Sequence, residues 1–88
     1  MSARRVTIAG RVQGVGYREF LRRAANRRAV TGWTRNRADG SVEVVAEGDA
    51  QALADLEGRL REGPAFSEVS AVEREAIESR GDSGFQVR

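Results

Sequence analysis

The sequence predicts an α+β fold in which an antiparallel sheet carries two helices on one face. Three observations predict it: a strand-period segment runs into a helical one, an Asp-Gly turn joins two short apolar runs, and a second helical stripe stops at a Gly-Pro pair. The resulting order is strand, helix, strand, strand, helix, strand. A split βαβ unit written twice forms the ferredoxin-like βαββαβ sandwich, here with a short C-terminal strand added. At 88 residues the chain is expected to form one domain, 1–88.

A glycine-rich break separates the first strand from the first helix. Residues Val6–Val12 alternate between apolar and polar positions, as strand residues do. Gln13–Gly16 is typical of a turn. From Tyr17 the period becomes helical and fades at 26–30, with an apolar face made of Phe20, Leu21, Ala24 and Ala25.

A β-hairpin is predicted next. Gly32–Asn36 is a short strand, Arg37–Gly40 contains the Asp-Gly pair that favours a hairpin turn, and Ser41–Glu47 is the return strand. Alternation along the return strand points three small apolar side chains inward (Val42, Val44, Ala46) and Glu43 and Glu47 outward.

The second helix has clear boundaries. Asp49 is a favourable N-cap residue, and Gly63-Pro64 is a typical C-terminal stop. The apolar stripe between them consists of Leu53, Leu56 and Leu60. A longer, less regular strand is expected from Ser67 to about Ile77. After a turn at 80–84, Phe85 and Val87 mark a short last strand.

The composition excludes several kinds of chemistry. The chain has no Cys and no His, and all fifteen of its basic residues are Arg. Disulfides, thiolate nucleophiles, Cys-based metal sites, a histidine base, a Schiff-base lysine and the lysine of a nucleotide-binding P-loop are therefore absent. A catalytic site in this chain has to work by positioning and electrostatics.

Charge is unevenly distributed along the chain. Residues 1–40 hold ten Arg against two acids, whereas residues 41–88 hold five Arg against eleven acids. Either the first half presents a positive field to an anionic ligand, or the halves interleave and the field cancels. No segment has the length of a membrane span or of a signal peptide, and with no Cys we expect a cytoplasmic protein.

The segment Gly10–Arg18 carries the strongest signal for a binding site. A strand runs into a glycine-rich loop that opens a helix, where unpaired amides and the helix dipole favour an anion, above all a phosphate. Arg18 lies in the first helical turn, where its guanidinium can bind two phosphate oxygens. The alternative is a tight turn that needs Gly14 and Gly16 for positive φ, with Arg18 in solvent.

The second informative segment is Gly32–Val42, followed by Gly48. Taken alone, Trp33 is predicted to be a core residue, and Asn36 is typical of a residue that caps a turn. Neither residue by itself indicates a site.

Together the two segments resemble the two signatures of the acylphosphatase family. The first is Gly-Arg-Val-Gln-Gly-Val-Gly-Tyr-Arg (10–18), and the second is Gly-Trp-Thr-Arg-Asn-x-x-x-Gly-Ser-Val (32–42). The resemblance extends over the whole chain, because Gly63-Pro64, Ser67–Val69 and Phe85–Arg88 are similar to that family's entry into its fourth strand and to its last strand.

The resemblance implies a small hydrolase without cofactor or metal that cleaves the carboxyl–phosphate anhydride of acyl phosphates. In the family's pattern, the residue at Arg18 binds the phosphate and the residue at Asn36 holds the attacking water. Phosphate oxygens are bound by loop amides around Gln13, Gly14, Val15, Gly16 and Tyr17. The expected partners are the acyl phosphate substrate and inorganic phosphate, with no nucleic acid and no membrane, and the expected state is a monomer.

Three positions depart from the family's pattern. Thr34 stands where a small apolar residue is more frequent, and Arg37 stands where some members have a Thr able to help hold the water. Gly16 is expected to make the loop more flexible than a larger residue would.

Four alternatives are weighed beside this interpretation. A non-catalytic phosphate- or metabolite-binding module would share most of the site. An RNA-binding module would carry aromatic residues on the central strands, and Val6–Val12 and Ser41–Glu47 have none. A metallochaperone is disfavoured by the lack of Cys. A related domain acting on carbamoyl phosphate in a larger maturation enzyme is disfavoured by where the chain starts and ends.

Overall fold

The computed structural model describes residues 1–88 and contains five strands and two helices. In chain order they are β1 (Ser2–Arg11), α1 (Tyr17–Arg27), β2 (Thr31–Asn36), β3 (Val42–Gly48), α2 (Ala50–Glu62), β4 (Glu68–Ile77) and β5 (Phe85–Val87). The predicted order of elements is confirmed, and most boundaries agree within one or two residues. The exception is β1, which begins at Ser2 rather than Val6 because Ser2–Arg5 pair with β3 and Ala3–Arg5 also pair with β4.

The strands form one mixed sheet in the order β4-β1-β3-β2-β5. The four strands of the ferredoxin-like unit pair antiparallel, as predicted, but β5 pairs parallel to β2. The antiparallel ferredoxin-like sheet is therefore confirmed, and the short last strand extends it as a parallel edge strand. The chain leaves β4 at one edge, reverses, and reaches the opposite edge, and a strand that enters there runs in the same direction as β2.

Both helices cover the same face of the sheet and enclose the core. The predicted stripes supply most of the buried helix residues, namely Leu21, Ala24, Ala25, Leu53, Leu56 and Leu60. Phe20 is only partly buried, and the guanidinium of Arg59 lies 5.1 Å from its ring centre. Removing these apolar side chains from water is the main stabilising contribution to so small a domain.

Glu43 and Glu47 project from the helix-free face of the sheet, as their alternation predicts, yet only 4% and 5% of their surface is exposed. Arginine side chains cover Glu43. The main-chain N–H groups of Arg80 and Gly81 donate to Oε1 of Glu47. The predicted outward direction of both side chains is therefore confirmed, but other groups of the chain cover them.

The end of β1 is shaped by a bulge in its partner strand. Ala9 pairs with Ala71 and Gly10 with Val69, so Ser70 of β4 has no opposite residue. Gly10 has φ +127°, and a Cβ at this position would collide with the main-chain oxygen of Glu68. Glycine is thus required where β1 ends and the loop to α1 begins.

At the start of α2, Asp49 occupies the N-cap position but its side chain makes no capping hydrogen bond. The first turn is closed through the main chain, where the Leu53 N–H donates to the Asp49 carbonyl oxygen at 2.9 Å.

Candidate active site

The loop between β1 and α1 leaves its main-chain N–H groups without backbone partners. None of the amides from Gln13 to Glu19 donates a hydrogen bond to another backbone carbonyl. Gly14 and Gly16 have φ of +76° and +75°, and a Cβ at either position would meet no protein atom. When residues with positive φ alternate with residues of negative φ, successive N–H groups turn toward one point. This arrangement suits an anion. The positive φ at position 16 therefore favours glycine there, in addition to any effect of glycine on the flexibility of the loop.

Arg18 lies in the first turn of α1 beside this loop. Its Nη1 donates to the Arg88 main-chain oxygen at 2.7 Å, and no Asp or Glu side chain forms an ion pair with its guanidinium. The next two arginines of the helix, Arg22 and Arg23, instead share the carboxylate of Glu19, whose pKa is lowered mainly by its hydrogen bonds with Arg22. The charge of Arg18 is thus oriented, and no acidic side chain neutralises it.

The contact with Arg88 also links Arg18 to β2. The Arg88 N–H donates to the Thr34 carbonyl oxygen at 2.8 Å, two residues before the end of that strand. Thr34 itself is fully buried, and its Oγ1 donates to the Glu43 carbonyl oxygen at 2.9 Å, so the hydroxyl that departs from the family's pattern is satisfied. Arg18 and the end of β2 are therefore tied together through β5.

Asn36 is the last residue of β2, opposite Val42 of β3, and its side chain is exposed and forms no hydrogen bond within the chain. It does not cap the hairpin turn. That role belongs to Asp39, whose Oδ1 accepts from the N–H (2.9 Å) and the Oγ (2.6 Å) of Ser41, and these hydrogen bonds lower the Asp39 pKa. The Asn36 carboxamide is therefore available to bind a ligand or a water.

Gln13 joins the glycine-rich loop to the same hairpin. Its Nε2 donates to the carbonyl oxygens of Arg37 (2.8 Å) and Ser41 (3.0 Å). The family resemblance implies a role only for the main-chain N–H of Gln13, as a donor to the phosphate. No pattern in a single sequence indicates that a loop side chain reaches a turn more than twenty residues away.

The residues before and after Asn36 form ion pairs on the helix-free face of the sheet. The guanidinium groups of Arg35 and Arg37 both contact the Glu43 carboxylate, and Arg5 contacts it from β1 at 3.1 Å. Burial alone would raise the pKa of Glu43, but the hydrogen bonds and charges of Arg35 and Arg37 lower it below its ordinary value. Arg37, at a position that departs from the family's pattern, is therefore engaged by Glu43.

Trp33 is buried as predicted, but on the helix-free face and not among the side chains beneath the helices. Its ring lies 4.5 Å from the Arg88 guanidinium and 5.9 Å from that of Arg35, measured from the ring centre. The indole N–H has no acceptor. Trp33 therefore supports β5 and Arg88, which orient Arg18.

The Tyr17 side chain anchors the start of α1. Its ring is fully buried, its hydroxyl donates to the Leu60 carbonyl oxygen at 2.6 Å, and burial raises the pKa of the phenol. Only the main-chain N–H of Tyr17 is thus available on the side of the loop.

The two oppositely charged halves of the sequence interleave over the sheet, where Arg4 and Arg5 pair with acids of the second half. They do not interleave around α1. A groove of about 390 Å³ beside this helix, extending from Gly16 to Arg28, is lined by Arg23, Arg27, Arg28 and Arg59 against Glu19 alone. Both alternatives for the charge distribution are thus realised, on different surfaces.

Two further features bear on ligands. The chain has no group of three or more Asp and Glu side chains placed to hold a metal ion. Neither helix has the length and apolar character needed to cross a membrane.

Comparison with known proteins gives a consistent result. The family model for acylphosphatase matches residues 4–87. An acylphosphatase of Pseudomonas aeruginosa is 49% identical over 81 residues, covering 92% of this chain and 89% of that protein. An acylphosphatase of Nitrobacter hamburgensis is 47% identical over 79 residues, covering 90% and 80%. The crystal structure of the acylphosphatase from Bacillus subtilis superimposes with a TM-score of 0.97 and 37% identity, covering 100% of this chain and 99% of that one.

Proposed function

Because this chain belongs to the acylphosphatase family and hydrolyses acyl phosphates to a carboxylate and inorganic phosphate, we propose that Arg18 and the loop amides hold the phosphate while Asn36 aims the attacking water. The observation that carries this proposal is that the three groups are available to a ligand. The loop N–H groups donate to no backbone carbonyl, the Asn36 carboxamide forms no hydrogen bond, and Arg18 is oriented by the Arg88 main-chain oxygen but pairs with no acidic side chain.

The phosphate binds with its oxygens toward the amides of Gln13, Gly14, Val15, Gly16 and Tyr17. The N-terminus of α1 adds its dipole, and the guanidinium of Arg18 contributes a full charge that the Arg88 carbonyl orients. Donors held in place before the reaction stabilise developing negative charge without reorganising, which is the main contribution proteins make to phosphoryl transfer.

The water is held by the Asn36 side chain on the side of phosphorus opposite the acyl oxygen. Its oxygen forms a bond to phosphorus while the bond from phosphorus to the acyl oxygen breaks, and that electron pair leaves with the carboxylate. No histidine, cysteine or lysine is available as a base. The proton of the water therefore passes to an oxygen of the phosphate itself. A carboxylate is a good leaving group, so no protein acid is needed.

We further propose that the reaction needs no metal ion and no cofactor. The positive charge that a metal would supply to a phosphate is provided here by Arg18, the loop amides and the helix dipole. This part of the proposal rests on the chemistry of the residues at the site.

The test is hydrolysis of benzoyl phosphate by the purified chain in EDTA, followed as loss of substrate absorbance, with p-nitrophenyl phosphate as a second substrate. We expect EDTA-resistant turnover of the acyl phosphate and none of the unactivated phosphate ester. Turnover that disappears in EDTA and returns with added Mg²⁺ would overturn metal independence. Phosphate binding without turnover would support the alternative, a non-catalytic phosphate-binding module.

We also propose that the protein acts as a cytoplasmic monomer whose only partners are its substrate and inorganic phosphate. The exposed large apolar side chains, Met1, Phe66 and Val87, lie far apart in the sequence. Light scattering of the purified chain at two concentrations checks the monomer, and a dimer mass at both would contradict it.

A further inference from the structure

We propose that the side chain of Gln13 is a positioning residue that holds Asn36 at its working distance from the phosphate loop. The inference rests on the proposed function, in which the loop binds the phosphate and Asn36 aims the water. The loop and Asn36 come from segments far apart in sequence, and catalysis requires a fixed geometry between them.

Both N–H groups of the Gln13 carboxamide are used on the hairpin that Asn36 leads into. They donate to the carbonyl oxygen of Arg37, which directly follows Asn36, at 2.8 Å, and to that of Ser41, where the return strand begins, at 3.0 Å. One side chain from the first residue of the loop therefore holds both ends of the turn. The contacts are partly buried, which limits competition from water.

No main-chain hydrogen bond replaces this link. Pairing between β1 and β3 ends at Ile8 and Val42, and β1 then continues along β4 alone. The hydrogen bonds outside helices and strands include none between the loop 13–16 and the turn 37–41. The Gln13 side chain is therefore the direct link between the loop and the turn, and it acts beside the longer connection from Arg18 through Arg88 to Thr34.

The turn does not need Gln13 to remain hydrogen-bonded. The Arg37 carbonyl oxygen also accepts from the Gly40 N–H at 3.2 Å, and the Ser41 carbonyl oxygen accepts from the Arg37 N–H at 2.8 Å. Loss of Gln13 should thus leave the hairpin folded but free to shift relative to the loop. In-line attack is sensitive to such a shift, since a displacement of about 1 Å lowers a rate by roughly 100-fold.

The test compares Gln13→Ala and Gln13→Glu, the second of which keeps the volume but replaces the two donor N–H groups with a carboxylate. We expect kcat for benzoyl phosphate to fall by roughly 10- to 100-fold in both, while KM and the inhibition constant of inorganic phosphate change by less than about threefold in Gln13→Ala. In Gln13→Glu the new negative charge should also raise both constants, because it repels the phosphate. Thr31→Val is the matched control. It removes another side-chain-to-carbonyl hydrogen bond in the same hairpin, at the end of β2 remote from Asn36, does not touch the loop, and should leave kcat within about twofold.

A double-mutant cycle separates positioning from simple support of the fold. If Gln13 acts through Asn36, Gln13→Ala should slow the Asn36→Ala variant by less than about twofold. Full kcat in a folded Gln13 variant, or an undiminished loss on top of Asn36→Ala, would overturn this inference alone. Full turnover by Asn36→Ala itself would overturn the proposed role of Asn36 first, so the two failures are distinguishable. If Gln13→Ala does not fold, Gln13→Glu carries the same comparison.

Discussion

Nη1 of Arg18 donates a 2.7 Å hydrogen bond to the main-chain oxygen of Arg88, seventy residues away in sequence. The proposed phosphate-binding side chain is therefore oriented by the last strand, which is itself held against β2 through Thr34. The addition of β5 to the βαββαβ unit thus has a direct consequence for the site.

Deleting Arg88 should weaken phosphate binding more than Arg88→Ala does. Deletion removes the oxygen that orients Arg18, so the ligand has to immobilise that side chain, at a cost of about 0.5–1.5 kcal/mol, or about two- to tenfold in affinity. Arg88→Ala keeps the oxygen and loses only the contact with the Trp33 ring. Titration with inorganic phosphate distinguishes them, and equal affinities for the two variants would contradict this role.

Gly16→Ala should destabilise the fold and weaken phosphate binding together. The φ of +75° at Gly16 costs an alanine about 1–2 kcal/mol, and relaxation of the loop away from that conformation scatters its N–H groups. Gly81→Ala is the matched control, because Gly81 has φ +74°, equally open space and a place in a remote turn. Urea unfolding should show a similar decrease in the free energy of unfolding for both variants. Only Gly16→Ala should bind phosphate less tightly. Identical phosphate affinities would count against the loop as the binding site.

The free energy of unfolding should fall steeply below about pH 4.3, the ordinary value for a Glu side chain, and Glu43 should account for part of the fall. Its pKa is lower in the folded state, so the native protein binds fewer protons than the unfolded chain. The resulting stabilisation is complete above the unfolded pKa and is lost as pH falls through the folded pKa. Urea unfolding from pH 2.5 to 7 should give a shallower dependence for Glu43→Gln. An unchanged slope would show that the three arginines do not hold this carboxylate ionised.

The sequence predicts the order of the elements because each carries a local signal. The strand period of Val6–Val12 and the Asp-Gly turn are examples that need no tertiary information. The signatures likewise place Arg18 and Asn36 at the ends of adjacent elements, and the structure ties Arg18 to β2 near its end at Asn36.

What the sequence does not predict depends on contacts between distant segments. The direction of β5 follows from the edge it reaches. The burial of Glu43 follows from arginines on two other strands, which alternation along β3 alone does not reveal. The role of Gln13 follows from a side chain that crosses to another loop, and Asn36 is left free because Asp39 caps the turn in its place.

The measurement that tests the account most directly is a comparison of Arg18→Gln and Asn36→Ala in two assays, inorganic phosphate binding and benzoyl phosphate turnover. Arg18→Gln should lose both together, because the phosphate is no longer held. Asn36→Ala should bind phosphate as the unmodified chain does and lose turnover, because only the water has lost its partner. Near-normal turnover by Asn36→Ala, or unchanged phosphate binding by Arg18→Gln, would contradict the assignment of these two roles.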